Sequence, residues 1–114
     1  MVQFIDARWT DILFQSYQHF SLVVQSLLLA TVVAVALAAL VTSREGLAPV
    51  ANTVSAVGLT IPSFALLGLL LPLVGIGAVP AVLLVTFYAA LPVLRNTVVG
   101  LQGVDAGLVE AARG

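Results

Sequence analysis

Polar residues fall along this chain in a way that cuts it into long apolar runs joined by short, punctuated links. From Ser21 to Thr42 the sequence SLVVQSLLLATVVAVALAALVT has no charged residue. Coiled as an α-helix, this run of 22 residues measures ~33 Å, against ~30 Å for the hydrocarbon core of a bilayer, so it predicts a first transmembrane helix. Gln25, Ser26 and Thr31 are its polar members, and they are expected to hydrogen-bond to a neighbouring helix rather than line a path. The link SREGLAP follows. Gly46 after a helix and Pro49 in the first turn of the next are stop and start signals, so a tight loop is expected here.

The second run extends from about Val50 to Leu71 and is interrupted at Thr60-Ile61-Pro62-Ser63. Pro62 lacks a donor and its ring clashes with the carbonyl four residues back, so a kink and a freed Gly58 carbonyl are predicted. In lipid that carbonyl must be satisfied again by protein or water. Two readings of the break stand side by side. In one, Thr60 and Ser63 serve structure by supplying hydroxyls to the interrupted ladder. In the other, Thr60, Pro62 and Ser63 mark a broken helix that lines a substrate pathway. Pro72, Gly75, Gly77 and Pro80 make the next turn, and a third run goes from about Val79 to Leu94. Phe87 and Tyr88 within it read as packing residues. Pro92 predicts a second kink, after which Arg95 and Asn96 leave the membrane.

Ahead of these runs, Met1–Phe20 mixes Asp6, Arg8, Asp11 and His19 with Phe4, Ile5, Ile12, Leu13 and Phe20 at partly helical spacing. It predicts a short amphipathic segment at the interface, anchored by Trp9 and Tyr17. A secretory signal would need a positive start followed by an apolar core and a small-residue cleavage site, and this stretch has no such order. His19 reads as an interfacial residue at the mouth of a helix rather than a proton carrier.

Composition strengthens the membrane reading. The chain is 61% hydrophobic and 8% charged, with a mean hydropathy of +1.19, too little charge to cover a water-soluble domain. Four Arg, no Lys and a net charge of −1 provide no basic surface, which excludes nucleic-acid binding. Without cysteine and with a single His, neither a thiolate nucleophile nor a Cys/His metal site is expected. No Gly-rich phosphate loop ending in Lys occurs, so the chain is not expected to hydrolyse ATP or to be an enzyme.

Arginines set the predicted orientation. With the N-terminus outside, three spans put Arg44, Arg95 and Arg113 in the cytoplasm and only Arg8 outside, which the positive-inside rule favours. The last stretch, GLQGVDAGLVEAARG, then lies in the cytoplasm. Gly100 and Gly103 loosen the chain, Asp105 is a natural N-cap, and Ala106–Arg113 predicts a short helix. A helix of that length is not stable by itself. Ala111 and Ala112 allow close approach of a partner, and Glu110 offers a charge to anchor one.

The succession of TIPS, GIGAVPA, LPVLRNT and GLQGVDAGLVEAARG resembles the inner-membrane permease subunit of binding-protein-dependent ABC importers. Over Ser21–Gly114 the chain looks most like the glycine betaine, carnitine and choline osmoprotectant permeases. The resemblance implies an all-α integral membrane protein of the type I ABC importer permease fold: an outer segment 1–20, then an incomplete transmembrane domain over 21–114. That domain would hold three transmembrane helices (about 21–42, 50–71 and 79–94) and a cytoplasmic coupling segment, 100–114. It further implies a bacterial or archaeal inner-membrane location and four kinds of neighbour. These are the lipid bilayer, a cytoplasmic ATPase subunit that holds ATP-Mg, an extracytoplasmic substrate-binding protein, and a second permease subunit, identical or closely related. The permease itself would bind no cofactor. Glu110, Ala111 and Ala112 would seat in a groove of the ATPase, with Gly103 and Asp105 shaping the approach.

The family pattern continues past EAA with a further glycine, an Ile-x-Leu-Pro element and more membrane helices, so the chain is expected to be part of a longer permease and unable to transport alone. Two alternatives remain open. One is a permease for methionine, another amino acid or another small solute; the other is a three-helix membrane assembly protein that does not transport.

Overall fold

The computed structural model describes all residues, Met1–Gly114, and is entirely helical. Five helices follow in order: α1 Val2–Thr42, α2 Leu47–Gly58, α3 Ser63–Val74, α4 Ala78–Gln102 and α5 Ala106–Arg113. The molecule is elongated, 64 × 33 × 22 Å. Its long dimension is that of α1, whose 41 residues extend ~61 Å at 1.5 Å per residue.

The predicted outer segment 1–20 is therefore not a separate element. It forms the first half of α1, continuous with the membrane run, and only Arg8 (φ −124°, ψ 17°) departs from helical geometry. The guanidinium of Arg8 lies 5.1 Å from the centre of the Phe4 ring, a cation–π contact within the kinked turn. Phe4, Trp9, Phe14, Tyr17 and Phe20 are all exposed.

α4 is the helix on which the rest is assembled, for α1, α2 and α3 each pack against it. Its seam with α1 is made of small residues. Ser26, Ala30, Ala34 and Ala38 recur every fourth position and are the buried residues of α1. In lipid, apolar burial does not drive helices together, so close backbone approach across small side chains supplies the packing. The direction of the seam is fixed at three levels. Tyr17, Gln18, Ser21 and Leu22 share a cleft with Gly77, Ala78 and Ala81. Midway, the Thr86 hydroxyl donates to the Ser26 carbonyl at 3.4 Å. At the far end Ala38 and Val41 pack with Val98 and Leu94. Thus α1 and α4 run parallel, and the chain between them must travel back across the full length of the seam.

α2 and α3 make that return. Each has 12 residues, ~18 Å, too short to cross a bilayer singly. Together they form one bent unit with 91° between the two helices. α2 runs antiparallel to α4 along Ala48, Ala51, Ser55 and Gly58, its buried stripe, beginning where Ala48 meets Ala38 and Val98. Gly46 makes the preceding turn at φ 81°, a left-handed conformation that other residues adopt with strain. α1 and α4 are each long and apolar enough to cross a membrane, and the bent pair, counted as one, would make a third such stretch.

Two expectations are corrected. The side chains of Gln25, Ser26 and Thr31 do not hydrogen-bond to a neighbouring helix. Gln25 Nε2 donates to Ser21 Oγ, Ser26 Oγ to the Leu22 carbonyl and Thr31 Oγ1 to the Leu27 carbonyl, all within α1. A hydroxyl that reaches the carbonyl one turn back is satisfied without a partner. The third helix does not end near Leu94, because α4 continues through Arg95 and Asn96 to Gln102. An arginine at a membrane boundary extends into water without stopping the backbone ladder. Pro92 lies within α4, which continues past it.

Candidate functional site

Two places carry the residues singled out by sequence: the elbow between α2 and α3, and the segment from Gly103 to Arg113. At the elbow, Pro62 does more than kink a helix. It stands at the N-cap of α3 with extended backbone (φ −63°, ψ 130°), and Ser63 begins the new helix. Missing donors cost nothing at a helix start, where the first N–H groups have no intrahelical acceptor.

The broken ladder is repaired locally. Leu59 N donates to the Ser55 carbonyl at 3.1 Å, Thr60 N to Val57 at 2.9 Å and Ile61 N to Gly58 at 3.2 Å. The Gly58 carbonyl is thus not free, and its partner is the Ile61 amide rather than a flanking hydroxyl. Thr60 Oγ1 instead donates to the Val57 carbonyl at 2.6 Å. Thr60, Pro62 and Ser63 are all exposed.

One partner reaches the elbow from outside. The Tyr88 hydroxyl of α4 donates to the Ile61 carbonyl, while its ring meets Phe87 edge to face at 5.3 Å. One turn along the same face of α4, Leu91 covers Gly58 so closely that a Cβ there would lie 2.8 Å from Leu91 Cδ1. Sequence reading treats Tyr88 as packing only. The available signal is a phenol placed in an apolar run, since a buried Tyr hydroxyl needs an acceptor.

Beside the elbow, an apolar cleft of 500 Å³ opens among α1, α2, α3 and α4. Val33, Leu66, Leu83 and Phe87 line it, with Thr86 as its polar member. Thr60, Pro62 and Ser63 lie outside it. Just before the elbow, Ser55 Oγ and Asn52 Oδ1 are buried with no hydrogen-bond partner.

The second place begins where α4 ends. Gly103 is the C-cap of α4, its amide donating to the Val99 carbonyl at 3.0 Å. Asp105 caps α5 as predicted: its backbone is extended and its Oδ1 accepts from Gly107 N at 2.7 Å. Val109 N closes the first turn on the Asp105 carbonyl at 3.2 Å. Glu110, Ala111 and Ala112 sit in the helix that follows, exposed like every residue from Leu101 onward. α5 packs against no other helix of the chain, yet it exposes Leu108 and Val109, and Val104 is exposed in the link before it. A helix of eight residues gains little stability from its own ladder, and the apolar side of α5 is uncovered in this chain. No group of three or more His, Asp or Glu is placed to hold a metal ion.

Comparison with known proteins gives these two places a context. Residues 30–114 match the family described as binding-protein-dependent transport system inner membrane component. The choline transport system permease protein OpuBB of Bacillus subtilis is 35% identical over 115 aligned residues, covering 100% of this chain and 52% of that protein. The carnitine transport permease protein OpuCB of Listeria monocytogenes is 36% identical over 114 residues, with the same two coverages. The osmoprotectant import permease protein OsmW of Salmonella typhimurium is 40% identical over 104 residues, or 87% of this chain and 48% of its own length. The chain thus spans about half the length of the curated relatives it matches. No solved structure gives a significant match.

Proposed function

From the premise that this chain belongs to the binding-protein-dependent transport system inner membrane component family, we propose that it is a transmembrane permease component of an ATP-driven importer for glycine betaine or related quaternary-amine osmoprotectants. The observation that carries the proposal is identity along the whole chain to permeases named for choline and carnitine. The membrane crossings and the exposed terminal helix agree with it.

In this reading a binding protein delivers solute on the outer side, and a second permease subunit completes the route. A separate cytoplasmic ATPase supplies the energy by hydrolysing ATP-Mg. α5 is the ATPase-docking helix: Ala111 and Ala112 let a groove approach closely, Glu110 anchors it, Asp105 fixes where the helix starts and Gly103 lets α4 turn into it. The parallel course of α1 and α4 supports termini on opposite sides of the membrane. The positions of Arg44, Arg95 and Arg113 support a cytoplasmic C-terminal segment. Thr60 and Ser63, exposed beside Pro62, border the solute route.

The test is uptake into proteoliposomes carrying the full-length permease, its ATPase and its binding protein. ATP-dependent accumulation of labelled glycine betaine, competed by choline or carnitine, is expected. Absence of ATP-dependent uptake of any of the three would overturn the substrate assignment. ATP-driven uptake of methionine in their place would redirect it to amino-acid import.

A further inference from the structure

Two side-chain hydrogen bonds in this chain join residues far apart in sequence, and both donors are on α4. Thr86 donates to α1, and Tyr88 donates to the Ile61 carbonyl in the elbow. The other side-chain bonds connect residues within four positions of each other. The elbow's own repairs, from Leu59, Thr60 and Ile61, are equally local. They hold the turn together and leave its position relative to α4 undetermined.

α2 and α3 pack on α4 on either side of the elbow, and two contacts hold the elbow itself. Gly58 sits under Leu91, where even a methyl group would crowd the leucine, and the Ile61 carbonyl is held by Tyr88. α2 ends at Gly58 and α3 starts only at Ser63, behind the extended Pro62, so the Ile61 carbonyl belongs to neither helical ladder. In a membrane a carbonyl released in this way must find a donor, and Tyr88 is the one supplied by another helix. α4 then runs from Tyr88 to Gln102 without a break and passes through Gly103 into α5. The distance along the helix is ~21 Å.

We propose that Tyr88 is a positioning residue of the transport cycle: its hydroxyl fastens the α2–α3 elbow to α4, so that displacement of α4 from its cytoplasmic end moves the elbow with it. The proposal rests on the permease reading and assigns the elbow a moving role within it. Leu91 on Gly58 transmits a push, being a steric contact, whereas the Tyr88 bond also transmits a pull.

The test uses the full-length permease assembled with its ATPase and binding protein in proteoliposomes. Tyr88→Phe keeps the ring and its contact with Phe87 but removes the donor. Uptake per ATP hydrolysed is expected to fall about three- to tenfold, the scale of one lost hydrogen bond, while ATP hydrolysis itself and assembly with the ATPase stay at wild-type levels. Amide hydrogen exchange across residues 59–63 is expected to speed up in this variant and to stay unchanged in α1. In a Pro62→Ala background, where a regular helix can replace the elbow, Tyr88→Phe is expected to add nothing further.

Coupling equal to wild type in Tyr88→Phe overturns the proposal, as does a parallel loss of uptake and ATP hydrolysis, which marks a merely structural tyrosine. If the wild-type assembly imports none of the solutes, the osmoprotectant reading fails by itself. Unchanged exchange at 59–63 would then still overturn the fastening.

Discussion

The α1–α4 seam and α5 are opposite solutions to the stability of a helix. Along the seam Ala34 and Ala38 are 0% exposed, small side chains bring two backbones together, and the contact is complete within the chain. α5 is capped by Asp105 and has an apolar side, yet it touches no other helix. The first is closed by packing; the second is exposed along its whole length. Damage to the seam should therefore remove the protein, whereas damage to α5 should leave the protein and remove its coupling.

The largest effect is expected at the seam. Ala38→Leu inserts three carbons where Ala38 packs on Ala48 and Val98, and overpacking of this kind costs about 1–3 kcal/mol. Full-length permease carrying it should accumulate poorly in membranes and unfold at lower temperature in detergent. Normal accumulation with an unchanged melting temperature would show that α1 and α4 do not meet at Ala38.

At α5 the expected effect is functional. Glu110→Ala combined with Ala111→Asp should reduce ATPase co-purification more than about tenfold, as burying an unpaired carboxylate at a contact does. The melting temperature of the permease should not change. ATPase retention at wild-type levels would remove the coupling assignment, and a lowered melting temperature would show that α5 is not independent of the bundle.

Two smaller effects sharpen the boundary between the regions at α2. Gly58→Ala places a methyl group against Leu91 and should cost about 1 kcal/mol, recovered in part by Leu91→Val, which gives the space back. Ser55→Ala should be neutral or stabilising by up to ~1 kcal/mol, because the hydroxyl is buried with no partner. Both are read as shifts in thermal unfolding of the purified permease. A marked loss of stability in Ser55→Ala would mean that the hydroxyl is hydrogen-bonded in the membrane.

These same regions explain what could be read from the residues. The three apolar runs were legible because lipid leaves a chain few choices, and charge-free length is a direct signal. Pro62 announced the break, and Asp105 announced the start of α5. The severity of the break was not legible. Whether proline kinks one helix or caps a second depends on the 91° path that the packing of α3 on α4 allows. The seam was hidden because Ala30, Ala34 and Ala38 are ordinary helix formers and mark an interface only once a neighbour is known. The sequence periodicity of Met1–Phe20 was visible, but its fusion with the membrane run was not, since nothing between His19 and Leu22 differs from an interfacial helix end. Tyr88 lacked a visible acceptor because the Ile61 carbonyl lies 27 positions away, and backbone acceptors carry no sequence signature.

The central claim is that α5 is a cytoplasmic helix that receives the ATPase, and cysteine labelling tests it most directly. The chain contains no cysteine, so Ala111→Cys introduces a defined site there in the full-length permease. A membrane-impermeant maleimide should label position 111 in inside-out vesicles and not in right-side-out ones, and bound ATPase should protect it. Labelling from the outer face, or labelling that the ATPase leaves unaltered, would contradict the claim.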